Sequence, residues 1–211
     1  KNSKLLINSP ITLLVILTLE QPLKGKLFLG KQYVKTIIPF KTGSECNLNS
    51  NQINCFFINN ESNRNLWVVG DSHSGSLTLA AKRIAETKKL NLKLFHASGT
   101  SFPPITHYRK ANKKEDLKSV EELKKVENEI YRTMNQGDTI LISLRLPYHF
   151  GGTYYEYPAS DFIYIKEDGK FGSQKEYFEY WIQSINDLAN FAFKKKANII
   201  IQSPTPEWEQ E

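Results

Sequence analysis

Gly70-Asp71-Ser72-His73-Ser74 places a carboxylate, a hydroxyl and an imidazole on consecutive residues, directly after the apolar run Leu66-Trp67-Val68-Val69. A serine hydroxyl becomes a strong nucleophile when an imidazole takes its proton, and a carboxylate normally orients that imidazole. These residue types suit acyl transfer, and Gly70 gives the backbone room to turn sharply. A simpler reading is that Asp71 or Ser72 caps the helix that follows, since both residue types are good caps. Where the turn sits bears on the choice.

Leu66–Val69 reads as a buried parallel strand, and Leu77, Leu79, Ala80, Ala81, Ile84 and Ala85 read as one face of a helix over Gly75–Lys89. The alternation continues with a strand at Leu92–Ala97, a helix at Glu115–Met134, a strand at Thr139–Leu144, a helix at Gln174–Lys195 and a strand at Ala197–Gln202. Such a pattern predicts an α/β fold, a parallel sheet with helices on both faces. Reactive groups in these sheets collect beyond the carboxyl ends of the strands, which is where Ser72 lies. Ser72 and Ser74 then sit near a helix start, where free N–H groups favour negative charge and can hold an oxyanion. In the helix after Glu115, Leu117, Val120, Leu123, Val126 and Ile130 form one apolar stripe, read as core. Residues 146–171 read as a long aperiodic loop whose Tyr148, Tyr154, Tyr155 and Tyr157 form either a hydrophobic lid or a platform for sugars.

The 211 residues allow one well-buried core with an appended segment, and 40% hydrophobic with 24% charged content fits a folded domain. The net charge of +6 comes from lysines scattered over three stretches, with no nucleic-acid-binding motif beside them, so no nucleic-acid partner is expected. A surface facing anionic glycans or lipid headgroups accounts for the charge as well. Cys46 and Cys55 flank a polar, Asn-rich stretch, which favours a disulfide and an oxidising compartment over two reduced thiols. Neither His nor Cys recurs at metal-ligand spacing, and no cofactor is expected.

Ile11–Leu19 is strongly apolar but shorter than the roughly 20 residues of a spanning helix, leaving three readings: the end of a membrane span, a signal-like region or a buried element. Residues 21–65 read as an irregular connector, and the start at Lys1 without Met reads as a fragment or processed form. The expected division is 1–45, apolar segment and linker, and 46–211, the α/β domain.

The block Gly70-Asp71-Ser72-His73-Ser74 on Leu-Trp-Val-Val resembles the first block of the SGNH (GDSL) hydrolase superfamily, in the form fused behind membrane O-acyltransferases that modify bacterial surface polysaccharides. Ala97-Ser98-Gly99-Thr100-Ser101-Phe102-Pro103-Pro104-Ile105 is similar to the family's Ser-Gly-Cys-Pro-Pro-Leu segment, with Thr100-Ser101-Phe102 in place of the Cys. Asp138–Arg145 is a looser match to the third strand, and Ser203-Pro204-Thr205-Pro206-Glu207 resembles a Ser-Pro-x-Pro-Glu strand end. The resemblance spans roughly Cys46 to Trp208. It implies a three-layer α/β/α, flavodoxin-like SGNH fold with Ser72 as nucleophile, Gly99 as an oxyanion donor, and Asp71, His73 and Arg145 as supporting residues. The family's Asn of Gly-x-Asn-Asp is missing. Arg145 either substitutes for it electrostatically or is an ordinary Arg after a strand.

The family also places the base in an Asp-x-x-His motif, and none of His73, His96, His107 or His149 has Asp three residues earlier. The ring of His73 is expected to point away from Ser72 or pack below it, and His96 to be core or scaffold. His107 and His149 are expected in loops that could approach the cleft. The base is therefore expected beyond Glu211, leaving this fragment a poor catalyst. The leading expectation is a serine-dependent O-acyltransferase domain, periplasmic or otherwise extracytoplasmic and membrane-anchored on its N-terminal side. Its acceptor would be a polysaccharide or glycolipid, and a membrane acyltransferase domain would belong to the same chain. Two alternatives stand beside it. A stand-alone secreted esterase would be excluded by membrane spans before Lys1, and a non-catalytic glycan-binding domain would be favoured if no Asp-x-x-His followed Glu211.

Overall fold

The structure, a computed structural model, describes residues 46–49, 52–57, 62–109, 116–150, 161–166 and 168–202, all within the unit Thr42–Glu211. The expectations for Ile11–Leu19, for Tyr154, Tyr155 and Tyr157, and for the Pro-x-Pro-Glu ending lie outside the described residues.

In chain order the strands are β1 (Cys46–Asn49), β2 (Gln52–Phe57), β3 (Asn65–Gly70), β4 (Asn91–Ala97), β5 (His107–Arg109), β6 (Thr139–Ser143), β7 (Phe162–Ile165), β8 (Phe171–Gly172) and β9 (Asn198–Gln202). The helices are α1 (Ser72–Ser76), α2 (Thr78–Lys88), α3 (Asp116–Thr133), α4 (Leu146–Phe150) and α5 (Gln174–Lys194). The main sheet runs β1-β2-β4-β3-β6-β9. Its pairings β4–β3, β3–β6 and β6–β9 are parallel, as the strand-helix alternation requires.

β3 lies in the middle of that parallel part and all six of its residues are buried, which is why it reads as an unbroken apolar run. Trp67 and Val69 join Ile140 and Ile142 of β6 in a core closed by Leu123, Val126 and Ile130 of α3 and by Trp181, Ile185 and Leu188 of α5. Period-two alternation turns Leu66 and Val68 to the opposite face, with Leu92 and Leu94 of β4, toward the α1–α2 side. The architecture is α/β with helices flanking a mostly parallel sheet.

Several elements differ from expectation. The presumed connector around the cysteines contributes the hairpin β1–β2, antiparallel to β4, so the sheet is mixed. Its register sets Cys46 opposite Cys55, and Cys55 is disulfide-bonded. The expected helix over Gly75–Lys89 is two helices meeting at Leu77. Ser76 and Thr78 donate their hydroxyls to the carbonyls of His73 and Gly75, a local competition that accompanies the break. The expected loop 146–171 starts with α4 and ends in β7 and β8, which with β5 form a second sheet. Leu117, expected in the core stripe, is 55% exposed because it lies on the first turn of α3, ahead of the buried stretch that starts at Ser119.

Candidate functional site

The turn after β3 depends on a glycine. Gly70 pairs with Ser143 across β3 and β6 and has φ +146°; a Cβ there would lie 2.0 Å from the Ser143 carbonyl oxygen. Only a residue without a side chain permits that approach. The chain then reverses through Asp71, the extended N-cap of α1, and presents Ser72 as the first helical residue. Ser72 is exposed while Asp71 and Ser74 on either side are buried. The N–H of a first helical residue has no intrahelical partner, so that of Ser72 is open to a ligand oxygen.

Asp71 fixes this turn from behind. Its Oδ1 accepts the His73 N–H at 2.8 Å, which makes it the helix cap, as the simpler reading held. Its Oδ2 accepts the Arg145 N–H at 2.8 Å and the Nε2 of His149 at 2.8 Å. The His73 ring Nδ1 lies 3.5 Å from Oδ1. Burial by itself would push the Asp71 carboxyl up. The hydrogen bond and charge of His149, with the N–H groups of Arg145 and His73, outweigh burial and hold it below its ordinary value. An ionised carboxylate only accepts, so His149 carries its proton on Nε2. Its Nδ1 is buried and has no hydrogen-bond partner among the described residues.

The expected loop placement of His107 and His149 is corrected by the structure. His107 is in β5 and His149 in α4, and they are 1% and 0% exposed. The cause for His149 is local: residues 146–150 coil into a single turn with Pro147 in it, which carries the ring inward among aromatic neighbours. Its centroid lies 5.4 Å from that of His107 and 5.2 Å from that of Tyr148. His107 Nδ1 is 2.9 Å from the Ile105 carbonyl oxygen. His96 is buried scaffold, paired with Gly70 across β3 and β4, its ring 2.9 Å from where a Gly75 Cβ would stand. Burial pushes its imidazole pKa down, against the pull of the Asp71 charge.

Gly99 follows β4, the strand beside β3, so both turns leave the same edge of the sheet. Its φ of +76° is in the left-handed region, and a Cβ there would lie 3.1 Å from the Tyr148 hydroxyl oxygen. The segment after it is anchored inside, with Thr100 to Ile105 buried and the Phe102 carbonyl accepting from Trp181 Nε1 at 3.0 Å. Arg145 meets Asp71 through its backbone, and its side chain is half-buried. Asp71, Ser72, His73 and Arg145 thus converge at the carboxyl ends of β3 and β6. His149 joins them through Asp71; the sequence placed it near the cleft but did not suggest this bond. The available signal was positional: it lies shortly after β6, and residues past neighbouring parallel strands share a crevice.

Among the described residues no group of three or more His, Cys, Asp or Glu could hold a metal ion, and no helix is long and apolar enough to cross a membrane. A family model described as "SGNH domain (fused to AT3 domains)" matches residues 41–211. No curated protein and no solved structure matches the chain.

Proposed function

The chain belongs to the family of SGNH domains fused to AT3 domains, an acyl-related family, and from that premise we propose that Ser72 carries an acyl group to a cell-surface glycan. The observation that supports this most is the exposed Ser72 on a turn whose preceding carboxylate is buried and held by three hydrogen bonds. In the proposed reaction Ser72 Oγ attacks the carbonyl carbon of an acyl donor while its proton passes to an imidazole. The carbonyl oxygen takes the negative charge, stabilised by the N–H groups of Ser72 and Gly99. Collapse expels the donor's oxygen, which takes the proton from the imidazole, and leaves the acyl group as an ester on Ser72. A sugar hydroxyl then repeats the attack and takes the acyl group away.

The imidazole is not assigned to any of the four histidines. Successive helix residues do not face each other, so His73 is poorly placed to reach Ser72 Oγ, and His96, His107 and His149 are buried. The base in this proposal is the family-type Asp-x-x-His, outside the described residues. The disulfide at Cys55 supports an extracytoplasmic setting, with an acyltransferase membrane domain in the same chain supplying the acyl group. Ser72→Ala in the full-length protein tests the proposal. Glycan acetylation should fall by about 10⁴-fold with the thermal midpoint unchanged. Acetylation at the parental level would overturn the assignment of Ser72.

A further inference from the structure

Two of the three donors to Asp71 are backbone N–H groups, fixed by the α1 turn and by the segment after β6. The third is the side chain of His149, and it is fully buried. An imidazole at that position leaves Nδ1 without a hydrogen-bond partner among the described residues, which costs stability that a phenylalanine would not. What the imidazole supplies in return is the Nε2–H bond to Asp71. The same one-turn helix also carries Tyr148, whose hydroxyl stands over Gly99, so α4 touches both turns that would hold an oxyanion.

We infer that His149 is a positioning residue for Ser72: by donating to Asp71 Oδ2 it holds the carboxylate that caps α1, and so fixes where the Ser72 hydroxyl and N–H point. The inference rests on the role proposed for Ser72. Asp71 is faced by His73 from α1, by His96 from β4, by the Arg145 backbone after β6 and by His149 from α4. Of these side chains, His149 alone makes a hydrogen bond of 2.8 Å to the carboxylate among the described residues.

The test compares His149→Phe, His149→Gln and Ser72→Ala in the full-length protein, with hydrolysis of p-nitrophenyl acetate as the probe reaction. His149→Phe keeps an aromatic ring and loses the donor, so kcat should fall about 10- to 100-fold with KM within about twofold, the effect of a slightly misplaced nucleophile. The acid limb of its pH profile should move to higher pH, because Asp71 loses a group that lowers its pKa. His149→Gln retains an N–H donor and should recover kcat to within about fivefold of the parent. Amide hydrogen exchange at His73, whose N–H is held by Asp71, should speed up about tenfold or more in His149→Phe and stay near parental in His149→Gln. Should His149→Phe fail to fold, His149→Asn, with a shorter reach, takes its place.

An inactive Ser72→Ala beside a fully active His149→Phe would overturn the positioning role alone. Equal loss in His149→Gln and His149→Phe would overturn the donor as its cause. Should Ser72→Ala keep its activity, the role of Ser72 fails instead, and unchanged exchange at His73 in His149→Phe would separately overturn the hold of His149 on the turn.

Discussion

Asp71 and Asp138 are buried carboxylates at opposite ends of β3, and each accepts three hydrogen bonds. Asp138 takes the Asn65 N–H at 2.7 Å, the Asn65 side-chain amide at 3.0 Å and the Asn135 N–H at 3.0 Å. Its donors are all amides, and its own carbonyl accepts the Asn198 N–H at 2.8 Å, tying the starts of β3, β6 and β9 together. Asp71 takes two amides and an imidazole, and the residue after it is the exposed Ser72. The number of bonds therefore does not separate a staple from a support for chemistry. The kind of donor and the neighbour in the chain do, along with the strand end: ligands in open α/β sheets bind beyond the carboxyl ends.

The largest effect is expected at the amino end. Asp138→Ala removes the acceptor of three amides, two of them on buried Asn65, and should lower unfolding free energy by about 3–5 kcal/mol, measured by urea denaturation. Activity per folded molecule should be unchanged. A loss under about 0.5 kcal/mol would mean that the staple carries no weight.

Asp71→Asn should show the opposite division. The amide keeps one acceptor oxygen and turns an NH₂ toward a donor, so kcat should drop about 100-fold, equivalent to about 2.7 kcal/mol of barrier. Stability should fall by about 1–2 kcal/mol, less than for Asp138→Ala. If stability fell as far and kcat merely followed the folded fraction, the two carboxylates would be doing the same job.

The sequence makes one of these ends easier to read than the other. β3 and β6 are legible because strands covered on both faces must be apolar throughout, and Gly70-Asp71-Ser72 is legible because its parts are consecutive. The hairpin β1–β2 is not, since β1 is only four residues with two Asn, and its pairing comes from β2, itself set by the β4 register, and from the Cys46–Cys55 alignment. The contact of His149 with Asp71 spans 78 positions. It exists because parallel pairing sets Gly70 beside Ser143 and a single helical turn then swings the ring back, neither of which leaves a periodic trace. Asp138 was visible only as the residue before a strand, with nothing to announce its bonds to Asn65.

The smallest expected effect concerns the charge state that the Asp71 network requires. Its carboxyl titrates below the ordinary 3.8 in the folded protein, because His149 and the two backbone N–H groups outweigh the burial that opposes them. A carboxyl with a lowered folded pKa contributes stability that is fully present above the unfolded value and is lost as pH falls through the folded one. The stability difference between the parent and Asp71→Asn should therefore be constant above about pH 5 and narrow below pH 4, measured by urea denaturation at each pH. The amide variant has no carboxylate to protonate at that position, so its own acid sensitivity comes from the remaining groups. A difference that stayed flat down to pH 2 would mean that the anion at Asp71 is not what the three donors hold. A narrowing difference would tie the cap of α1, and with it the placement of Ser72, to the ionised carboxylate.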